Sequence, residues 1–361
     1  MILVTGGTGF VGQEVVKELL ARGHRVRLLV RDPRRAREFT SHPQVELAQG
    51  DALRPETLPA AMVGVTTVIH LIGIIAETSK ITFEQGHVEA TRHVLTAAKQ
   101  AGVARWIQMS ACGTRPEANS RYHLTKWRAE ELVRQSGLAW TIFRPSLIYG
   151  YDRRDRLLNL LRRLLSPPVS SLVLDSFPLL AGGRARIQPV SLREVARCFA
   201  SAPGTEASVG KSYDLVGPVA FTWREMVEQI AADLGRNTTY VTIPILLLYG
   251  AGKLLVPALL LAAWGMHQLS LLETAIGVVI WLALAISLHP WRRILLFGVA
   301  AAPLVLLGRI LNALAPRELQ MSEQLKMALE DNIGDPQPAM ETFGYVPETF
   351  AQGLKHLPSG Q

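Results

Sequence analysis

The chain has 361 residues, a formal net charge of +8 and a mean hydropathy of +0.19; 48% of it is hydrophobic and 19% charged. Globular proteins carry about 25% charge, so a disordered or acidic-tail protein is excluded, and two cysteines, Cys112 and Cys198, exclude a disulfide framework or a thiolate metal site. The positive balance suits nucleotide phosphates, an anionic membrane surface or nucleic acid, and composition does not choose among them.

In chain order, the opening predicts a strand over 1–4, a glycine turn over 5–12 and a helix over 13–21 that stops at Gly23. Val15, Val16, Leu19 and Leu20 form one apolar face of that helix. Between strand and helix, the loop Gly6-Gly7-Thr8-Gly9-Phe10-Val11-Gly12 lets the backbone approach a pyrophosphate, which rests on the helix N-terminus. A second strand follows over 25–30. At its end an acidic residue would take the ribose 2′-hydroxyl of NAD(H); here Arg31 precedes Asp32, Arg34, Arg35 and Arg37. A guanidinium suits a 2′-phosphate. NADP(H) is therefore the expected cofactor, with Asp32 leaving NAD(H) open.

Further strands are predicted over 45–48, 67–71, 106–109 and 140–143, with helices over 83–101 and 122–136. Strands alternating with helices predict an α/β, Rossmann-type doubly wound parallel sheet, with ligand at the carboxyl ends of the strands. Those ends read Gly50-Asp51, His70-Leu71-Ile72-Gly73, Ser110-Ala111 and Arg144-Pro145-Ser146. Tyr122 and Lys126, four apart on a predicted helix, project from one face. A nearby ammonium and an oxidised nicotinamide would lower a phenol that titrates near 10. Tyr122 would then exchange a proton with substrate, Ser110 would hydrogen-bond the substrate oxygen, and Lys126 would also hold the nicotinamide ribose.

From 243 to 314 the only charged residues are Lys253, Glu273, Arg292, Arg293 and Arg309. Spans 244–264 and 269–288 each reach the roughly 20 apolar residues that a transmembrane helix needs; a third, 294–308, is shorter and contains Pro303. The expectation is an inserted helical transmembrane block over 243–315, the alternative being a buried helical core. The basic turn from His289 to Arg293 would face the cytoplasm. Because strand begins at residue 2, no targeting leader is expected, which places the N-terminal part in the cytosol and the chain in the cytoplasmic membrane. The expected domains are a nucleotide-binding part over 1–150, a C-terminal lobe over 151–242, the insertion over 243–315 and a cytosolic tail over 316–361 packing on the lobe.

The segments Thr5 to Gly12, Gly50-Asp51, Tyr122-x-x-x-Lys126 and Phe143-Arg144-Pro145-Ser146-Leu147-Ile148-Tyr149-Gly150 resemble the extended and atypical short-chain dehydrogenase/reductases, which include the epimerase/dehydratases. The run from Tyr122 to Glu130 and the tail from Gln324 to Asn332 resemble bacterial relatives of the NAD(P)H-binding accessory subunit of respiratory complex I. The resemblance covers about 1–245 and 316–357. It implies that Gly6, Gly9 and Gly12 cradle the pyrophosphate with Gly7, Thr8, Phe10 and Val11. Asp51 and Ala52 flank the adenine, Leu71 and Gly73 lie against the cofactor, Pro145 lines the nicotinamide end, and Ser110, Tyr122 and Lys126 form the active site. His70-Leu71-Ile72-Gly73 departs from the Asn-Ala-Gly type of sequence common in the superfamily.

Nine histidines lack metal-ligand spacing, so no metal is expected. The stretch from Arg153 to Arg163 is basic and amphipathic, and without a nucleic-acid module it suits lipid headgroups or a partner better than nucleic acid. The expected function is an NADP(H)-dependent oxidoreductase or epimerase-type enzyme acting on a small, lipophilic substrate. The rival is a non-catalytic nucleotide-binding subunit or assembly factor of a respiratory membrane complex.

Overall fold

The computed structural model describes residues 1–150, 155–165, 176–180, 183–236, 239–243 and 319–356. Seven strands form one parallel sheet: β1 (Ile2–Thr5), β2 (Val26–Val30), β3 (Val45–Gln49), β4 (Thr67–His70), β5 (Arg105–Met109), β6 (Ala139–Pro145) and β7 (Lys211–Leu215), in the order β7-β6-β5-β4-β1-β2-β3. The expected Rossmann-type sheet is present. β7, absent from the sequence reading, extends it by pairing parallel to β6, Tyr213 opposite Phe143.

Side chains of successive strand residues point to opposite faces, and the core divides accordingly. Ile2, Val4, Leu28, Ile69, Ile107 and Phe143 face one side, covered by α1 (Phe10–Ala21) and by α6 (Leu192–Ser201). Leu3, Leu29, Val68, Trp106 and Ile142 face the other, covered by α2 (Leu58–Met62), α3 (Ala90–Gln100) and α4 (Arg121–Arg134). Such two-sided burial is why the strands read as nearly continuous apolar runs. The remaining helices are α5 (Arg156–Leu165), α7 (Trp223–Asp233), α8 (Leu319–Leu329), α9 (Gln337–Phe343) and α10 (Phe350–Lys355).

The chain divides into two units. The first comprises Met1–Ser166, Arg184–Asn237 and Leu319–Gln361; the second comprises Pro167–Gly183 and Thr238–Glu318. In the second, strand Ser176–Leu180 pairs parallel with Thr239–Ile243.

The expected inserted transmembrane block requires correction. Among the described residues no helix is long and apolar enough to cross a membrane. α4, with 14 residues, rises about 21 Å, short of the ~30 Å hydrocarbon core. The apolar segments 244–264, 269–288 and 294–308 lie outside the described residues.

Candidate active site and dinucleotide cradle

Strand order reverses direction on either side of β1 and β4, which leaves a crevice at their carboxyl ends. The two loops that leave these ends meet there. Gly6 adopts φ +74°, and a Cβ on it would lie 3.1 Å from the Leu71 carbonyl carbon and 3.2 Å from the Ile72 nitrogen. A Cβ on Gly12 would lie 2.2 Å from the Gly6 oxygen, so only glycine lets α1 start against the loop. Gly9 is the N-cap and supplies no side-chain cap, and the first turn holds no acidic residue. The backbone N–H groups at this end therefore remain available to an anion. This glycine turn, with its uncapped helix, fits a dinucleotide pyrophosphate.

The other loop residues support that turn. Gly7 packs under Leu28, and a Cβ there would lie 2.8 Å from its Cδ2. Thr8 accepts a hydrogen bond from Gln13 Nε2 at 3.3 Å, Val11 is buried in the core, and the Phe10 ring lies against Gly150.

At the end of β2, Arg31 is exposed. Asp32, by contrast, is engaged: its carboxylate caps the following turn by accepting from the Arg34 backbone at 3.1 Å, and pairs with Arg34 Nε at 3.0 Å. These bonds hold its carboxyl below the usual range. Asp51 is likewise occupied locally, accepting from the Leu53 backbone at 3.0 Å. Ala52 is buried and its carbonyl lies 3.0 Å from His93 Nδ1. Leu71 is buried at the end of β4.

On the far side of the crevice, Ser120 caps α4 through its hydroxyl, which accepts from the His123 backbone at 3.3 Å. α8 adds a carboxylate: Glu323 accepts from the Arg121 backbone. The helix thus fixed carries Tyr122 and Lys126. Lys126 is 3% exposed and donates to the Met109 carbonyl, next to Ser110, at 3.3 Å. A Cβ on Gly73 would lie 2.7 Å from its Nζ. Lys126, Gly73 and the end of β5 therefore meet. Burial pulls the Lys126 ammonium down to about 8, and Glu130 one turn on opposes that pull. Glu130 is itself fully buried and gripped by Arg144 through bonds of 2.8 and 2.6 Å.

Tyr122 stands edge-on to Phe83, His87 and His123. Burial pushes its phenol up to about 12; the expected lowering also requires an oxidised nicotinamide beside it. Desolvation dominates because the Lys126 ammonium is directed at the Met109 carbonyl. Ser110 is buried, and its hydroxyl is turned to Thr114 at 3.5 Å. Among the described residues no hydrogen bond joins Ser110, Tyr122 and Lys126 to one another. Pro145, buried at the end of β6, accepts from the Cys112 backbone at 2.9 Å, which ties this strand end to that of β5.

A buried polar chain that the sequence did not disclose lies beneath these residues. Thr5 Oγ1 lies 2.8 Å from His70 Nδ1, and Thr91 Oγ1 lies 3.3 Å from His70 Nε2. Thr91 also donates to the His87 carbonyl at 2.6 Å, and His87 Nδ1 lies 2.8 Å from Thr125 Oγ1. Burial drives the His70 imidazole down to about 3, so it is neutral. The only signal in sequence was the position of His70 at a strand end.

Comparison with known proteins agrees with this geometry. The NAD(P)H-binding family matches residues 6–158. The chain is 32% identical over 249 residues, 67% of its length, to an Arabidopsis thaliana protein, NADH dehydrogenase [ubiquinone] 1 alpha subcomplex subunit 9, mitochondrial, of which it spans 60%. It is 30% identical over 247 residues to the NAD(P)H azoreductase of Xenophilus azovorans, covering 68% of this chain and 78% of that protein. The crystal structure of gox2253 superposes with a TM-score of 0.61 at 22% identity, covering 99% of this chain and 96% of that one. A likeness of that breadth supports the Rossmann-type fold. The chain belongs to the NAD(P)H-binding, extended short-chain dehydrogenase/reductase relatives that include the complex I 39/40 kDa-type subunits.

Proposed function

We propose that the chain is an NADP(H)-dependent reductase of carbonyl-type substrates, with Ser110, Tyr122 and Lys126 as its working groups. The observation that carries this reading is the placement of Lys126. Its buried ammonium sits where the loop after β4 and the end of β5 meet, one helical turn from Tyr122. A nicotinamide coenzyme, when bound, supplies or accepts the hydride. Gly6, Gly9 and Gly12 hold its pyrophosphate, and Arg31 holds a 2′-phosphate, a role for which the paired Asp32 leaves it without a competing carboxylate. Asp51 and Ala52 flank the adenine, while Leu71, Gly73 and Pro145 line the path to the nicotinamide.

With its phenol at about 12, Tyr122 is protonated at neutral pH and is competent as the acid that gives a proton to the substrate oxygen. Lys126, charged below about pH 8, turns its ammonium from the Met109 carbonyl to the phenolate left behind and stabilises it. Ser110 turns its hydroxyl from Thr114 to the substrate oxygen. The test is Tyr122→Phe in the full chain, assayed with NADPH and a panel of ketones and azo compounds. The expected result is a loss of about 10²-fold or more in turnover with NADPH affinity within about twofold; undiminished turnover would overturn the assignment.

A second reading is favoured by the likeness to the plant complex I subunit. In it the same cradle holds a structural nucleotide, and the chain serves a respiratory membrane complex. Co-purification with such a complex, combined with no turnover in either the unaltered chain or Tyr122→Phe, distinguishes it.

A further inference from the structure

Between the glycine turn and α4 lies a histidine to which the proposed chemistry assigns no role. His87 is 1% exposed and sits in a π-helical turn, Glu84–Glu89, that leads into α3. Such turns are rare and concentrate at functional sites. On one side His87 Nε2 meets the Ile74 backbone, 3.0 Å from its carbonyl oxygen and 3.2 Å from its nitrogen. On the other, Nδ1 lies 2.8 Å from Thr125 Oγ1, on the helical turn between Tyr122 and Lys126. Burial and the Lys126 charge drive the imidazole well below its ordinary value, so it is neutral and has one donor and one acceptor nitrogen. Two arrangements satisfy it. In one, Nε2–H donates to the Ile74 carbonyl while Nδ1 accepts from the Thr125 hydroxyl. In the other, Ile74 N–H donates to Nε2 while Nδ1–H donates to Thr125, whose hydroxyl donates on to the Arg121 carbonyl at 2.8 Å. Either way the ring ties Ile74 to Thr125. Gly86, beside it, allows close approach, since a Cβ there would lie 3.2 Å from Ile74 Cγ1. The ring also stands edge-on to Tyr122, with centroids 5.3 Å apart.

We propose that His87 is a positioning residue for the nicotinamide end of the coenzyme site, its imidazole clamping the Gly73–Ile74 loop to the helix that carries Tyr122 and Lys126. This rests on the coenzyme reading above and adds a residue to it. Among the described residues the contacts of His87 run to Ile74, Gly73, Thr125, Phe83, Thr91 and Tyr122, on the nicotinamide side of the cradle and away from Arg31. Its loss therefore acts selectively, loosening the loop and helix that flank the nicotinamide while leaving the glycine turn intact.

The experiment compares two probes on the full chain: NADPH, and adenosine 2′,5′-bisphosphate, which lacks the nicotinamide half. The variants are His87→Phe, which keeps ring packing against Phe83 and Tyr122, and Thr125→Val, which removes the partner hydroxyl. Each is expected to weaken NADPH binding roughly tenfold, as the loss of one or two buried hydrogen bonds predicts, and to leave the bisphosphate within twofold. The double variant is expected to be no weaker than the worse single variant, since both cut one chain of bonds. Unchanged NADPH affinity, or parallel loss of both probes, overturns the positioning role while the coenzyme reading stands. If the unaltered chain binds neither probe, the coenzyme reading falls first and this proposal with it.

Discussion

Arg31 and Asp32 stand side by side, yet the structure gives them different tasks. Asp32 spends its carboxylate on the Arg34 backbone and guanidinium, whereas Arg31 is exposed at the end of β2. Arg31→Ala is therefore expected to weaken NADPH binding by about 10- to 100-fold, the scale of a charge-assisted hydrogen bond, and NADH binding by less than about threefold. Titration of intrinsic and coenzyme fluorescence measures both, and equal losses would reverse the NADP(H) preference. The same contrast shows what single residues disclose in sequence. The four-residue spacing of Tyr122 and Lys126 was legible, because helix geometry alone puts both on one face. His70 and His87 were not, since their partners lie 65 positions away at Thr5 and 38 away at Thr125. The burial of the Tyr122 phenol was illegible for a related reason. Sequence offered a cation one turn away, whereas the fold supplies burial and aims that cation at a carbonyl.

At the scale of elements, α1 depends on one contact that no side chain can share. A Cβ at residue 12 would meet the Gly6 oxygen at 2.2 Å, so Gly12→Ala must push the helix start away from the turn. The expected cost is about 1–3 kcal/mol, seen as a Tm lower by about 2–4 °C for each kcal/mol, together with weakened NADPH binding. Thermal unfolding that matched the unaltered chain would contradict this account of the turn. Element types were mostly readable from period and turn residues: β1, α1, β2 and α4 stand within a few residues of expectation. Two departures have physical causes. The expected helix over 83–101 opens instead as a π-helical turn, because the apolar period that marks a helix does not report one extra residue in a turn. β7 was missed because Lys211-Ser212-Tyr213-Asp214-Leu215 alternates polar with apolar residues only briefly, and its pairing partner lies some 70 positions earlier at β6.

Across the whole molecule, composition was the least reliable guide. The charge-poor stretch from 243 to 314 suggested spanning helices, whereas among the described residues none is long and apolar enough to cross a membrane. Strand order was a better guide, because alternating strands and helices leave few topologies that place glycine turn, β4 loop and α4 around one crevice. The tail closes that arrangement from afar. Cys112 Sγ lies 3.1 Å from the Ile333 carbonyl, Ser146 donates to the Asn332 carbonyl at 2.9 Å, and Glu330 pairs with Arg115. Residues 330–333 thus tie down the segments that follow β5 and β6, a role invisible before folding. All of this geometry converges on one claim, that the crevice is a seat for a nicotinamide dinucleotide. Direct titration of the purified full chain with NADPH tests it. The account predicts saturable one-to-one binding at micromolar concentration with a raised Tm; no binding and no Tm change at millimolar NADPH or NADH would contradict it.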